Sequence, residues 1–368
     1  MKKVKKRVAF AEMDELPKSM EALAVSEYGQ PSTYQKISLD TPSLAKPHDV
    51  LIRVHAASVN PIDVKFAAGM AKRIQPATFP YKIGYDVAGV IKAVGTAVTT
   101  LKVGDAVYSR VPNQYQGTVA EYALSTEEAT ALKPEGLGFE DAASIPLAGL
   151  TALQSMEYAN EHLSGGLEGK TVFIPAGLGG TGSFAVQLAR NVFKAARVIT
   201  TVSAKKIDKA REFLGEDVEL IDYTTEDVAK RIGAGTVDYF FDTMGGTTTY
   251  LPVMKSGGVI VSISTIPAGT KMKGHAPDIG FLAEKVLNGA DKFYTWRCAR
   301  AGVHYTYLFM KPSADGLNQY SNYVKDGQVK PLVGKVATLQ DLDSIKSGCQ
   351  EIFDGKGGLG KFVITISH

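Results

Sequence analysis

Ile174-Pro175-Ala176-Gly177-Leu178-Gly179-Gly180-Thr181-Gly182 is the stretch on which the fold turns. Gly177, Gly179 and Gly182 satisfy G-x-G-x-x-G, a spacing that carries weight only when a strand leads into it and a helix leads out. Both conditions are met. Thr171 to Pro175 is a short apolar run with β-branched residues, and Ser183 to Arg190 has helical periodicity. Each glycine then has a task. The first permits a tight turn, the second lets backbone amides approach a pyrophosphate, and the third lets the helix pack close to the strand. Amides at the helix N-terminus face the anion, and the helix dipole favours it. The alternative is a glycine-rich turn with no ligand.

Further strands and helices alternate beyond this turn. Arg197 to Val202 reads as a strand, Lys205 to Leu214 as a helix, and Val237 to Asp242 and Gly258 to Ser264 as strands. Alternation of this kind implies an α/β fold, a doubly wound parallel sheet with helices on both faces. The end of the second strand bears on which dinucleotide binds. NAD enzymes place an acid there, about 20 residues on, for the ribose 2′-hydroxyl. Here Ser203 lies 21 residues after Gly182, and no acid occurs between Arg197 and Lys206. A hydroxyl with Lys205 and Lys206 suits a 2′-phosphate, so NADPH is the expected cofactor. The plainer alternative makes these lysines solvated residues at a helix start.

The flanks read differently. Residues 20–145 are rich in valine, glycine and proline, with β-like runs such as Val50 to Val59 and Val87 to Val94. Near residue 325 the chain leaves the α/β pattern, and Val329 to Val336 and Phe362 to Ile366 read as strands. The layout expected is a leader over 1–19, a β domain built from 20–146 and 326–368, and an α/β domain inserted over 147–325. Two domains also suit 368 residues at roughly 150 per domain. The leader carries Lys2, Lys3, Lys5, Lys6 and Arg7, with no apolar signal core behind them and with Glu12, Asp14 and Glu15 close by. It reads as a mobile segment rather than a targeting peptide.

Composition excludes several classes. Net charge is +3, from 41 basic and 38 acidic residues, which is no footprint for a nucleic acid. No run of ~18 apolar residues could span a membrane. Cys298 and Cys349 cannot build a disulfide scaffold, and there is no CxxC pair. A reducing, cytoplasmic setting is the simpler expectation. The partners expected are a small-molecule substrate and, at most, a second copy of the chain: a homodimer or a monomer.

Several motifs in order then carry a family resemblance. They are Ala57-Ser58-Val59-Asn60-Pro61-Ile62-Asp63, Gly84-Tyr85-Asp86-Val87-Ala88-Gly89, Lys102-Val103-Gly104-Asp105, Gly117-Thr118-Val119-Ala120-Glu121-Tyr122, Ala148-Gly149-Leu150-Thr151-Ala152 and Ile221-Asp222-Tyr223. From about residue 20 to the end, the chain resembles the medium-chain dehydrogenase/reductase superfamily. It is similar to its zinc-independent quinone oxidoreductase and enone (enoyl) reductase branch. The resemblance implies a GroES-like β domain, an inserted Rossmann domain and an active site in the cleft between them. It implies that Gly179, Gly180 and Thr181 hold the pyrophosphate, with Ser203, Lys206 and Tyr223 around the 2′-phosphate. Thr151 and Asn60 complete the expected cofactor set. A tyrosine after a short strand could equally be a packing residue.

Departures from zinc-dependent relatives matter most. Those enzymes have a cysteine where Asn60 stands, a histidine where Tyr85 stands, and often a cysteine near Leu147. A catalytic zinc needs three N, S or O ligands. The histidines, at 48, 55, 162, 275, 304 and 368, lack ligand spacing with cysteine, so no metal is expected. Without a Lewis acid, a substrate that is already electrophilic is the better match: a quinone or an α,β-unsaturated carbonyl. Hydride adds to the β-carbon and charge collects on the carbonyl oxygen, where a hydrogen-bond donor stabilises it. Asn60, Tyr85 or the cofactor's ribose hydroxyl is expected to donate. Asp63 is read as fixing local backbone or the cofactor pocket rather than as a base, and Tyr85 could instead be a packed residue.

The segment Gly269 to Leu308 holds Lys271, Lys273, His275, Phe281, Phe293, Tyr294, Trp296, Tyr305 and Tyr307. It reads as a mixture of pocket wall and core or subunit interface, with Phe309, Met310 and Pro312 nearer the nicotinamide. Two rivals stand beside an enone or quinone reductase. One is a trans-acting enoyl reductase on a carrier-tethered chain. The other is a catalytically idle NADPH-binding structural protein.

Overall fold

The computed structural model describes residues 16–72, 76–273, 279–356 and 358–366. Residues 1–15 of the expected leader, together with His275 and His368, lie outside the described residues, and a strand already begins at Ser19.

Thr171–Ile174 sits in the middle of a six-stranded sheet, parallel throughout. From one edge the order is Glu219–Asp222, Arg197–Val202, Thr171–Ile174, Val237–Asp242, Met254–Ser262 and His304–Tyr307. Numbered by sequence this is 3-2-1-4-5-6, the Rossmann order. Both faces are covered. Phe173, Ile199, Phe240 and Ile260 pack into one apolar cluster, while Val172, Val198, Tyr239 and Val259 pack into another. A strand buried on both faces needs an almost continuous apolar run, and these strands have one. The winding reverses between Thr171–Ile174 and Val237–Asp242, so a crevice opens at their C-terminal ends.

The helix after the glycine turn spans Gly180–Gln187 and continues as a π-turn over Leu188–Val192. It starts earlier than the periodicity from Ser183 indicates, because Gly179 is the extended cap residue. Gly177 and Gly182 are required by packing. A Cβ on Gly177 would lie 2.3 Å from Thr200 Oγ1, and one on Gly182 would lie 2.2 Å from the Ala176 carbonyl oxygen.

The second large sheet has seven strands and draws on both ends of the chain. Its order is Val333–Thr338, Lys361–Thr365, Asp49–Val59, Asp86–Val94, Ala106–Arg110 and Thr130–Leu132, and Tyr122–Thr126 also pairs with Asp49–Val59. Phe362 lies opposite Val59, Val363 opposite Ser58 and Ile364 opposite Ala57. A small third sheet joins Gln35–Asp40, Ser19–Val25 and Tyr81–Lys82. The two large sheets meet where Gly360 pairs with Gly179 and donates its N–H to the Leu178 carbonyl at 2.7 Å.

Two expectations shift. The strand read over Val329 to Val336 begins at Val333, beyond Pro331, which has no N–H to give a ladder. The Gly269 to Leu308 segment contains a long helix, Phe281–Arg300, before the edge strand His304–Tyr307. Phe281, Phe293 and Trp296 face solvent, whereas Tyr294 and Tyr305 stack with centroids 5.7 Å apart.

Candidate active site

The crevice at the sheet's reversal is lined by two turns. In the glycine turn, Gly177 and Gly182 are buried while Gly179, Gly180 and Thr181 are partly exposed. Ala176 is partly exposed as well. The facing turn follows Asp242, which the sequence did not single out. Its buried carboxylate accepts from the backbone N–H groups of Met244, Gly245, Gly246 and Thr247 at 2.7–3.2 Å. That fixes the turn's shape beside the cofactor crevice.

At the end of the neighbouring strands, Val202 pairs with Asp222, so Ser203 and Tyr223 emerge side by side. Tyr223 is 58% exposed, which suits a ring lying against a ligand rather than a core tyrosine. The Lys206 ammonium donates to the Gly358 carbonyl, tying this corner to the other domain. Thr151 is buried in the helix Pro146–His162 and donates its hydroxyl to the Leu147 carbonyl at 2.7 Å. Its oxygen can therefore only accept from a ligand.

Asn60 caps the helix Pro61–Ala67, and its backbone N–H donates to Asp63 Oδ2 at 2.7 Å. Asp63 is fully buried, and burial pushes its carboxyl up to about 7. It shapes the backbone at Asn60 and has no exposed face toward a substrate. The Asn60 side chain is held at both ends. Nδ2 donates to Asp86 Oδ2 at 2.8 Å, and Oδ1 accepts from Lys361 Nζ. Lys361 and Asp86 form a buried ion pair at 3.5 Å, and burial holds the lysine below its ordinary value. Ser58 Oγ and the Leu147 N–H complete the Asp86 shell, each at 2.9 Å. A Cβ on Gly180 would come within 2.9 Å of Lys361 Cδ, so this lysine lies between the glycine turn and Asn60.

Tyr85 lines a cavity of about 230 Å³ together with Phe66, Ala77, Tyr81, Asn113 and Gln116. Its hydroxyl is 3.3 Å from that of Tyr81, and the Arg110 guanidinium lies 4.6 Å from its ring centroid. Arg110 is buried and is held by the Val111 carbonyl at 3.0 Å and by Asn113 Oδ1 at 2.7 Å. Burial raises the Tyr85 phenol above its ordinary value, so at neutral pH it is a donor. Asn60 and Leu147 gather around Asp86, and Tyr85 precedes it in the chain, whereas Ser203, Lys206 and Tyr223 lie together at the far end of the crevice.

Comparisons with known proteins identify the family. Residues 46–139 match the alcohol dehydrogenase GroES-like domain, and residues 214–344 match the zinc-binding dehydrogenase model. The chain is 33% identical over 325 residues to an NADPH-dependent alkenal/one oxidoreductase of Arabidopsis thaliana chloroplasts, covering 86% of this chain and 72% of that one. The chain belongs to the medium-chain dehydrogenase/reductase superfamily. A mitochondrial NAD(P)H oxidoreductase of Mus musculus is 30% identical over 88% of this chain and 84% of its own length. The quinone oxidoreductase structure from Coxiella burnetii superposes with a TM-score of 0.78 at 27% identity, covering 95% of this chain and all of that one.

The resemblance sets the zinc ligands of zinc-dependent relatives at Asn60, Tyr85 and near Leu147. Asn60 is engaged by Lys361 and Asp86, Tyr85 is a neutral phenol, and Leu147 offers only its backbone N–H. This donor set does not fit zinc. Among the described residues no group of three or more His, Cys, Asp or Glu side chains could hold a metal ion. Sequence reasoning missed Lys361, Asp242, Arg110 and Tyr81. Asp86 stood inside a quoted motif but had no role assigned. Nothing local marks Lys361, which meets Asn60 from 301 positions away.

Proposed function

We propose that this chain is an NADPH-dependent oxidoreductase that transfers hydride to a carbonyl-activated double bond or to a quinone, without zinc. The observation that carries this reading is Tyr85. Tyr85, protonated at neutral pH, lines a small cavity and stands where the resemblance sets a metal ligand of zinc-dependent relatives. The relatives named as alkenal/one and quinone oxidoreductases support it. So do the partly exposed glycine turn and the acid-free end of the second strand, which suit NADPH.

Gly179, Gly180 and Thr181 would hold the pyrophosphate, Ser203, Lys206 and Tyr223 the 2′-phosphate, and Thr151 and Asn60 the nicotinamide end. NADPH, when bound, supplies the hydride. The chain's own work is to bind the carbonyl oxygen and stabilise the charge that collects there. Tyr85 donates that hydrogen bond, and Arg110 beneath its ring holds it in place. Asn60 is a fixed amide, since a cation at its oxygen and an anion at its N–H prevent it from turning. Asp63 is a positioning residue for Asn60.

Turnover of an enone, an enal and a quinone, followed by NADPH loss, tests the reading. Tyr85→Phe is expected to lower kcat/KM by about 10- to 100-fold. Unchanged kinetics remove Tyr85 from the mechanism. Chelation is expected to leave turnover intact, and activity that zinc restores would overturn the metal-free reading. A carrier-tethered enoyl chain is the second substrate reading. Residence in the cytoplasm, and a homodimer paired along the edge strand His304–Tyr307, belong to the same proposal. Fractionation and light scattering test them.

A further inference from the structure

The helix Phe281–Arg300 is held on one side only. Tyr294 stacks on Tyr305, Cys298 is buried, and Glu284 pairs with Lys273 at 2.8 Å. At about 100° per residue, Glu284, Leu287, Tyr294 and Cys298 fall in one arc of roughly 80°. The opposite arc carries Leu282, Val286, Phe293 and Trp296, which are 77%, 64%, 49% and 54% exposed. Phe281, at the helix start, is 74% exposed. Single exposed apolar residues need no account, but a contiguous stripe along one helix face does.

Charge indicates what covers it. Lys285 and Lys292 flank the stripe on one side and Arg297 on the other, with Arg300 at its end. Lys285 lies over the Phe281 ring and Arg300 over the Trp296 ring, each 5.2 Å from the centroid. The helix's two acids turn inward: Glu284 to Lys273, and Asp291 toward Tyr305. The outward face is thus aromatic and aliphatic with cations along both margins and no carboxylate of its own. A second copy on the same face would bring eight cations together without a counter-charge. An anionic lipid surface satisfies both halves of the pattern. Apolar side chains enter the acyl boundary while lysine and arginine reach the headgroups.

We propose that the helix Phe281–Arg300 is a peripheral membrane-docking element that lays Leu282, Val286, Phe293 and Trp296 into an anionic bilayer surface. It lies on the surface and does not span, as no helix among the described residues is long and apolar enough to cross a membrane.

Trp296 is the chain's one tryptophan and therefore a built-in reporter. The full chain, checked for intact NADPH turnover, is mixed with vesicles of phosphatidylcholine alone or of phosphatidylcholine with phosphatidylserine. The expected result is a blue shift of tryptophan emission and co-sedimentation with the anionic vesicles, both weakened as salt shortens the screening length. Each surface cation is worth roughly fivefold in binding, so Lys292→Glu with Arg297→Glu weakens it by at least roughly 30-fold. Phe293→Ser, at an exposed position, weakens it without loss of fold or turnover. Two results overturn the proposal. One is an active enzyme that gives neither shift nor co-sedimentation at low salt. The other is self-association that Phe293→Ser dissolves, which assigns the face to a second copy.

Discussion

Replacing Lys361 by Met removes a buried ammonium and leaves its two partners, Asp86 and Asn60, in place. Removing one partner of a buried ion pair costs about 3–5 kcal/mol. Asp86 keeps three donors: Ser58 Oγ at 2.9 Å, Asn60 Nδ2 at 2.8 Å and the Leu147 N–H at 2.9 Å. Hydrogen bonds to a charged group contribute about 1.5–3 kcal/mol each, so the carboxylate is not abandoned and the loss falls near the low end, about 3 kcal/mol. Met occupies a similar volume, which keeps the packing cost small. For a cooperative unit of this size Tm then falls by roughly 6–12 °C. A second effect concerns Asn60, whose Oδ1 loses the cation that fixes the amide. The expected fall in kcat/KM at saturating NADPH is about tenfold or more, or ~1.4 kcal/mol of transition-state stabilisation. Thermal unfolding and steady-state kinetics read the two effects separately. A purely structural lysine would lower Tm and leave the kinetics of the folded enzyme untouched. Tm and kcat/KM both unchanged would refute the reasoning outright.

Gly182→Ala sets a Cβ 2.2 Å from the Ala176 carbonyl oxygen, so the turn must shift. NADPH affinity is expected to fall at least about tenfold by fluorescence titration, with ~1–3 kcal/mol of stability lost; normal binding would mean the close approach is not needed. Ser203→Asp places an acid beside Tyr223, where the 2′-phosphate is expected. It should raise the NADPH KM by roughly 10-fold or more while NADH improves, and an unaltered preference would move that site elsewhere. Asp63, with its carboxyl raised to about 7, binds a proton in the folded state that the unfolded chain has already released. The wild type should therefore lose stability as pH rises from about 4 to about 7. Asp63→Asn, which still accepts from the Asn60 N–H, should flatten that slope in urea midpoints across this range, and a slope identical to wild type would count against the assignment.

The Rossmann sheet was legible because its determinants are local. A strand, a glycine turn and a helix follow one another from Thr171 to Gln187, and each constrains only its neighbours along the chain. Gly179, Gly180 and Thr181 are partly exposed, and Ser203 and Tyr223 leave adjacent strands side by side. The Gly269 to Leu308 segment was read less well. Its aromatics sit on both faces of one helix, so composition alone could not separate Tyr294, which packs inward, from Trp296, which does not. The active centre belongs to tertiary structure. Asn60 and Tyr85 stand out in the sequence by what they replace, but their state depends on groups brought from afar. Lys361 reaches Asn60 because the last strand pairs antiparallel with Asp49–Val59 and its Gly360 locks onto the glycine turn. A carboxylate, an amide and an ammonium become a rigid polar cluster only once folding removes water from all three. Spacing along a chain encodes which backbone turns can form, whereas burial and charge pairing across 301 positions exist only after an early strand and the last strand of the β domain meet in one sheet.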